Sequence, residues 1–241
     1  MDRKFYRQVK WGFQKFIWGG RLVGAEGLPT HGPAVFVSNH VDALGPIAVY
    51  ASMPLYLHTW MHADMLDPHL APEYLRRDFV ERQLRIPPPF SNWLARGISK
   101  IHVPILRGIG GIPVYHTREG LDETFALSAD LLVQGESLLV FPEDPKLPAN
   151  PDTKMTPFKK GFILVGQLLY ERTKQILPFY PITVHAGSLT VRVGTPIFYN
   201  PFNAPEDERF RIRDLLEQAI REMYLHASEN EILPVPTSKL I

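Results

Sequence analysis

A chain of 241 residues, 45% of them hydrophobic, is long enough to fold as one domain around a sizeable core. The formal net charge of +1 gives no whole-chain sign of nucleic-acid binding, so no nucleic-acid partner is expected. The lack of cysteine excludes disulfides and thiolate metal sites. Because no run of about 18 apolar residues occurs and the start lacks the apolar core of a secretory signal, we predict neither a membrane span nor secretion.

The first segment, residues 1–19, is predicted to be an amphipathic helix set apart from a domain of residues 20–241. Positions 5, 9, 13, 16 and 17 carry apolar side chains on one helical face. The first 21 residues contain one acid, Asp2, and six bases: Arg3, Lys4, Arg7, Lys10, Lys15 and Arg21. A basic, aromatic helix can lie in a membrane interface, so we expect residues 1–18 to bind a membrane surface. The alternative is that the helix packs on the core and turns a solvated basic side outward.

Strand-like and helix-like stretches alternate along the rest of the chain. Short apolar runs predict strands at residues 34–38, 55–60, 112–115, 137–141, 176–184 and 189–193. Amphipathic patterns predict helices at residues 46–51, 90–106, 120–134, 158–173 and 206–228. Residues 67–90 are predicted to be irregular, and residues 144–157 to form a loop without an apolar cluster to fix it. The alternation predicts an α/β fold with a mixed, largely parallel sheet flanked by helices.

Titratable side chains follow three of the predicted strands. His40 follows the first strand, His116 follows the strand at 112–115, and Glu143 follows the strand at 137–141. In an open α/β sheet, ligands bind outside the carboxyl ends of the strands, so we expect these residues to converge on one site. A histidine suits a general base there, because its ordinary pKa of about 6.5 allows proton transfer near neutral pH.

The blocks that carry these residues resemble the glycerolipid acyltransferases of the lysophosphatidate acyltransferase type. The blocks are, in chain order, Val35–His40, Gly110–His116 and Leu138–Glu143, with softer matches at Leu177–Ile182 and Val191–Pro196. The resemblance covers roughly residues 20–200 and implies an O-acyltransferase of phospholipid biosynthesis. Such an enzyme moves a fatty acyl group from acyl-CoA or acyl carrier protein to a hydroxyl of a lysophospholipid or related glycerolipid. It needs no further cofactor, and we expect a cytoplasmic protein peripherally associated with the membrane.

The resemblance implies that His40 is the general base, but the acid that usually accompanies it is missing. The family places an aspartate five residues after the histidine, where this chain has Gly45 followed by Pro46. Asp42 is the nearest substitute and would orient the imidazole. Two alternatives remain: Asp42 caps a backbone amide at the start of the next helix, or His40 works without an acid.

The remaining site residues are also predicted through the resemblance. Glu143 would shape the site by accepting backbone amides, although Asp144 follows it where the family has glycine. The family has a phosphate-binding arginine at the position of His116. Four residues are therefore candidates for substrate binding: Arg107, His116, Arg118 and Lys146. Because Gly45 and Asp144 both depart from the family pattern, a non-catalytic lipid-binding or scaffolding protein that retains the fold is the alternative function.

A metal site is not expected. His58 and His62 lie four residues apart, which is a ligand spacing suited to a helix. Residues 55–60 read as a strand, however, and an extended backbone would not bring both imidazoles to one ion.

Overall fold

The computed structural model describes residues 3–232, and the side chains of residues 3–227. Within these residues eight strands form one sheet: β1 (Arg21–Val23), β2 (Ala34–Ser38), β3 (Leu57–His62), β4 (Ile112–Val114), β5 (Ser137–Val140), β6 (Pro178–His185), β7 (Thr190–Val193) and β8 (Ile197–Phe198). The strand order is β1-β7-β6-β2-β5-β3-β4, and β8 also pairs with β6. Strands β6, β2, β5, β3 and β4 run parallel, whereas β7 and β8 run antiparallel to β6. The predicted mixed, largely parallel sheet is confirmed.

Helices cover both faces of this sheet. In the described chain they are α1 (Arg3–Phe13), α2 (Leu44–Ser52), α3 (Ala63–Leu66), α4 (Ala71–Leu75), α5 (Phe90–Gly108), α6 (Arg118–Val133), α7 (Leu164–Thr173) and α8 (Pro205–Ile232). Val35 and Val37 of β2 pack in one core with α6, α7 and α8. Ala34 and Phe36 point to the other face and pack with α2. Burial on both faces explains why β2 reads as a continuous apolar run in the sequence.

The prediction that residues 67–90 are irregular is wrong. Helix α4 lies in this stretch and continues into a π-helical segment, Arg76–Glu81. Leu75 and Val80 are buried there against Ala95 of α5. Proline and charge dominate the composition, but a few apolar side chains that reach α5 are enough to hold these turns in place.

The N-terminal helix α1 is joined to the rest of the protein by buried contacts. The Tyr6 hydroxyl donates to the Leu55 carbonyl at 3.0 Å and accepts from the Leu57 N–H at 3.2 Å, and Tyr6 is 1% exposed. The Lys10 ammonium donates to the Met53 carbonyl, and burial lowers the pKa of Lys10. One side of α1 therefore packs on the core. The division into a helix of residues 1–19 and a domain of residues 20–241 stays a prediction.

The apolar face predicted for the N-terminal helix is split in two. Phe5, Val9 and Phe13 pack around buried Tyr6, Tyr50 and Ile109. A π-helical turn, Gln14–Trp18, then changes the register, and Phe16 and Ile17 are 73% and 52% exposed. The prediction of one continuous apolar face is thus corrected, because the wider π-helical turn rotates the last apolar residues away from the core. No helix in the described part of the chain is long and apolar enough to cross a bilayer.

Candidate active site

The carboxyl ends of the parallel strands meet at one edge of the sheet, and polar side chains follow each of them. His40 lies two residues beyond β2, and Glu143 lies three beyond the adjacent strand β5. His62 ends β3, which neighbours β5, and His116 follows β4 at the outside of this group. The predicted convergence of His40 and Glu143 is seen directly, because the two residues are hydrogen bonded.

Asn39 fixes the backbone from which His40 projects. Its side-chain NH₂ donates to the Val184 carbonyl at 3.0 Å, and its side-chain oxygen accepts from the Val184 N–H at 2.8 Å. Asn39 is 2% exposed and Val184 is fully buried, so both bonds are shielded from water. This pair of bonds ties the end of β2 to β6 and sets the point at which the chain turns toward His40.

Replacing Asn39 with alanine is expected to destabilise the fold by about 2–4 kcal/mol, since each buried polar group left without a partner costs about 1–3 kcal/mol. Urea unfolding followed by circular dichroism measures this loss. Asn92 lies exposed near the start of α5, and Asn92→Ala is the matched control, expected to change stability by less than about 0.5 kcal/mol. We call this pair of hydrogen bonds between Asn39 and Val184 the clamp. Equal stability of Asn39→Ala and the control would contradict its stabilising role.

Glu143 holds the main chain of His40. The His40 N–H donates to Glu143 Oε1 at 2.5 Å. The second oxygen, Oε2, accepts from the Thr156 N–H at 2.8 Å and from the Thr156 hydroxyl at 3.3 Å. Burial raises the pKa of Glu143, while these hydrogen bonds act in the opposite direction. The carboxylate is therefore a positioning group: it contacts the backbone of His40 and leaves the imidazole ring to face elsewhere.

The loop of residues 144–157 has more fixed points than its sequence indicates. Met155 is 2% exposed and packs in the main core beside α7 and α8. Asn150 accepts from the N–H groups of Asp152 and Thr153 at 2.9 and 3.1 Å. Together with the bonds from Thr156 to Glu143, these contacts correct the expectation of a loop that no apolar cluster fixes. Two segments of the site, the His40 turn and this loop, share one carboxylate.

The environment of the His40 ring favours the neutral imidazole. His40 is exposed at the surface, but protein groups crowd its ring, and the Phe141 ring lies edge-on with centroids 5.2 Å apart. This partial desolvation lowers the pKa of His40 below its ordinary value of 6.5, and the charge of Asp42 opposes the shift. A neutral ring at neutral pH has a nitrogen lone pair free to accept a proton, as a general base requires.

Asp42 acts on His40 through space. No hydrogen bond or ion pair joins its carboxylate to the His40 ring within the described chain. The residue adopts a left-handed backbone conformation with φ of 43°, which aspartate tolerates better than most side chains. Helix α2 begins two residues later without a side-chain cap, so Asp42 does not cap it. Of the interpretations left open by the sequence, the capping role is wrong, and the orientation of the ring by Asp42 stays a prediction.

Gly45 lies directly beside His40. A Cβ at this position would stand 3.5 Å from the Asn39 carbonyl oxygen and 3.6 Å from the His40 Cα, which are ordinary contact distances. The backbone of Gly45 is helical, as the second residue of α2. The position where the family resemblance expects an aspartate is therefore next to the histidine, and a Cβ would fit there.

His116 is paired with a histidine that the sequence interpretation did not assign to the site. The rings of His116 and His62 lie with centroids 4.7 Å apart, and Asp64 Oδ2 is 3.7 Å from His62 Nδ1. Desolvation lowers the pKa of His62. Extending the predicted strand 55–60 by two residues would have placed His62 at a strand end, like His40. No group of three or more potential ligands among the described residues is arranged to hold a metal ion.

The other predicted substrate-binding residues occupy different places. Arg118 is exposed at the first turn of α6, directly after the capping residue Thr117 and two residues from His116. Lys146 is exposed in the loop after Glu143, where its N–H donates to Asp144 at 3.2 Å. Arg107 lies on α5 and donates from Nε to the Leu66 carbonyl at 2.7 Å. Arg118 and Lys146 keep their charged ends in water, whereas Arg107 is engaged in holding the end of α3.

The sheet order and the flanking helices define an open α/β fold. Among solved structures, the chain is similar to the crystal structure of the 1-acyl-sn-glycerophosphate (LPA) acyltransferase PlsC from Thermotoga maritima. The TM-score is 0.55 at 15% sequence identity, over 92% of this chain and 78% of that chain. No protein-family pattern matches the sequence, and no curated protein matches it. The likeness is therefore one of fold, and the chemistry has to be argued from the residues of the site.

Proposed function

We propose that this protein is an O-acyltransferase that moves a fatty acyl group from an acyl thioester to a hydroxyl of a lysophospholipid or related glycerolipid. The observation that carries the proposal is the His40 turn: an imidazole with a lowered pKa, at the carboxyl edge of the sheet, whose backbone is held by Glu143. The likeness in fold to a lysophosphatidate acyltransferase supports the same class of reaction.

In the proposed reaction His40 removes the proton of the acceptor hydroxyl as the oxygen attacks the thioester carbonyl. The tetrahedral intermediate collapses with cleavage of the carbon–sulfur bond, and the imidazolium returns the proton to the leaving thiolate. No covalent acyl-enzyme is required, and the co-substrate is acyl-CoA or acyl carrier protein. Glu143 holds the base in position, and Asp42 stabilises the imidazolium by its charge.

Basic residues beyond the base are proposed to bind the anionic part of the substrates. His116 and Arg118 lie together after β4, and Lys146 is exposed in the loop after Glu143. Arg107 is proposed as a more distant contact, since its guanidinium already holds the Leu66 carbonyl. The N-terminal residues 1–18 would bring the protein to the membrane surface, where Trp11, Phe16 and Ile17 are exposed.

The direct test is acyl transfer by the purified protein, with acyl-CoA and acyl carrier protein as donors and a panel of lysophospholipids and monoacylglycerols as acceptors. Ester product from at least one donor and acceptor pair supports the proposal. A non-catalytic lipid-binding protein is the second candidate, favoured by the lack of an acid in contact with the His40 ring in the described structure. Lipid binding without turnover for any pair would select that candidate.

The charge of Asp42 gives a test based on pH. Because the folded pKa of His40 is lowered, neutral imidazole predominates at pH 6.5, and kcat/KM should fall only as the pH drops through that lowered pKa. Asp42 opposes the lowering, so Asp42→Asn should move this acidic limb to still lower pH. The profile of kcat/KM against pH measures the acidic limb of the wild type and that of Asp42→Asn. Asp152, exposed in the 144–157 loop, provides the control Asp152→Asn, and an Asp42→Asn limb that coincides with the control would contradict the coupling.

A further inference from the structure

Helix α5 carries an apolar stripe that faces solvent. Phe90, Trp93 and Ile101 are 69%, 79% and 67% exposed. Exposed Gly97 lies between Trp93 and Ile101, and exposed Pro104 follows Ile101. These positions are spaced by three or four residues, so they form one continuous line along the helix. The opposite side of α5 is buried through Ser91, Ala95, Ser99 and Val103. The stripe is thus the outward face of a helix whose inward face is already satisfied.

The charge around this stripe is of one sign. No aspartate or glutamate occurs between Glu81 and Glu119, and the same stretch contains six bases: Arg82, Arg85, Arg96, Lys100, Arg107 and Arg118. Arg96 and Lys100 are exposed and border the stripe on one side of α5. In a chain whose net charge is only +1, this concentration of bases is local. The surface therefore combines large apolar side chains with a basic border.

A recess adjoins the basic border. It has a volume of about 340 Å³ and is lined by Lys100, Val103, Pro104 and Arg107 of α5, with Pro68 opposite. The recess is large enough for a small anionic group, and two of its lining residues are cations.

Trp93 suits the boundary between water and hydrocarbon, because its ring combines an apolar body with a polar N–H.

We propose that this face of α5, defined by Phe90, Trp93, Ile101, Arg96 and Lys100, docks onto an anionic lipid bilayer. The apolar stripe enters the boundary between headgroups and acyl chains, and the two bases contact lipid phosphates. The contact adds to the one proposed for residues 1–18 and does not depend on the chemistry at His40. A lipid surface is the occupant favoured by the combination of stripe and charge, since lipid headgroups supply the negative charge and the acyl chains the apolar medium.

The test compares binding of the full chain to vesicles of phosphatidylcholine containing phosphatidylglycerol and to vesicles of phosphatidylcholine alone. The wild type is expected to sediment with the anionic vesicles. Arg96→Gln combined with Lys100→Gln should weaken that binding by about 30-fold, because each base near an anionic surface contributes about fivefold. Phe90→Ser with Trp93→Ser and Ile101→Ser should weaken it by more than about 10-fold.

The matched control replaces three exposed apolar residues on another face: Leu127, Val133 and Ile176, each changed to serine. This control should bind as the wild type does, and circular dichroism checks that all variants fold. Trp11→Phe removes the tryptophan of the other proposed membrane contact. In that background, brominated lipids should quench part of the tryptophan fluorescence, and this quenched part should be lost when Trp93→Phe is added. Acyl transfer to a water-soluble, short-chain acceptor should be unchanged in the α5 variants, so docking and catalysis are measured separately.

Three results would overturn the proposal. The first is binding of the α5 variants to anionic vesicles as tightly as the wild type, which would leave residues 1–18 as the contact. The second is equal binding of the wild type to neutral and anionic vesicles, or no binding to either. The third is a wild-type dimer in analytical ultracentrifugation that the serine variants of α5 dissociate, which would assign this face to a second copy of the chain.

Discussion

Replacing His40 with alanine should lower kcat/KM for acyl transfer by about 10²- to 10⁴-fold, the usual contribution of a general base. We assign removal of the acceptor proton to the imidazole, because the Glu143 oxygens already accept from the N–H groups of His40 and Thr156. The fold should be retained, since the His40 side chain is exposed and the turn is held by Asn39 and Glu143 through the backbone. Initial rates with the best donor and acceptor pair measure the loss.

His31 provides a matched control for this variant. It is an exposed histidine in the turn before β2, and its ring contacts the Thr30 hydroxyl at 3.1 Å. His31→Ala should leave kcat/KM within about twofold of the wild type, consistent with a surface substitution. If His40→Ala also retained the wild-type rate while folding normally, the general-base mechanism would be eliminated.

Introducing an acid at Gly45 should produce the second large effect, an increase in rate. A Cβ at this buried position lies beside the His40 backbone at ordinary contact distances, and the helical backbone there suits an aspartate. An aspartate there would also lie in the first turn of α2, where negative charge is favourable. The new carboxylate should raise the pKa of His40 by about 1 or more, because an opposite charge within hydrogen-bonding range stabilises the imidazolium.

The expected gain in kcat for Gly45→Asp is about 10-fold or more. In serine proteases the orienting acid contributes roughly 10⁴, which sets an upper bound. Gly45→Asn is the matched control: it has the same shape and no charge, so it should leave the pKa of His40 near its wild-type value. The pKa is measured by NMR titration of the imidazole, and the rate by the acyl-transfer assay. A rise in rate with Asn as large as with Asp would show that steric changes, rather than the acid, are responsible.

The sheet and its carboxyl edge were predictable because they follow from local patterns. Continuous apolar runs identify β2 and β5 as strands buried on both faces, and the rule for open sheets then places His40 and Glu143 at the same edge. Their hydrogen bond needs only that β2 and β5 be neighbours in parallel register. This part of the site depends on topology, which short motifs in a fixed order indicate well.

Other features of the site depend on single side-chain positions that no pattern contains. The capping alternative for Asp42 failed because its backbone is left-handed and the cap position of α2 falls on Ala43. His62 was overlooked because β3 extends two residues beyond the apolar run. The split of the N-terminal face required a π-helical turn, in which Trp18 is buried, and the spacing of apolar residues does not indicate such a turn.

The clamp between Asn39 and Val184 has a consequence for when the protein becomes competent. The two residues are 145 positions apart in sequence. The backbone that carries His40 is therefore not fixed until β6 has been synthesised and has paired with β2. A chain that has formed only the strands before β6 contains His40 but lacks the hydrogen bonds between Asn39 and Val184. Catalytic activity should therefore emerge late in folding and serve as a sensitive reporter of the fully assembled sheet.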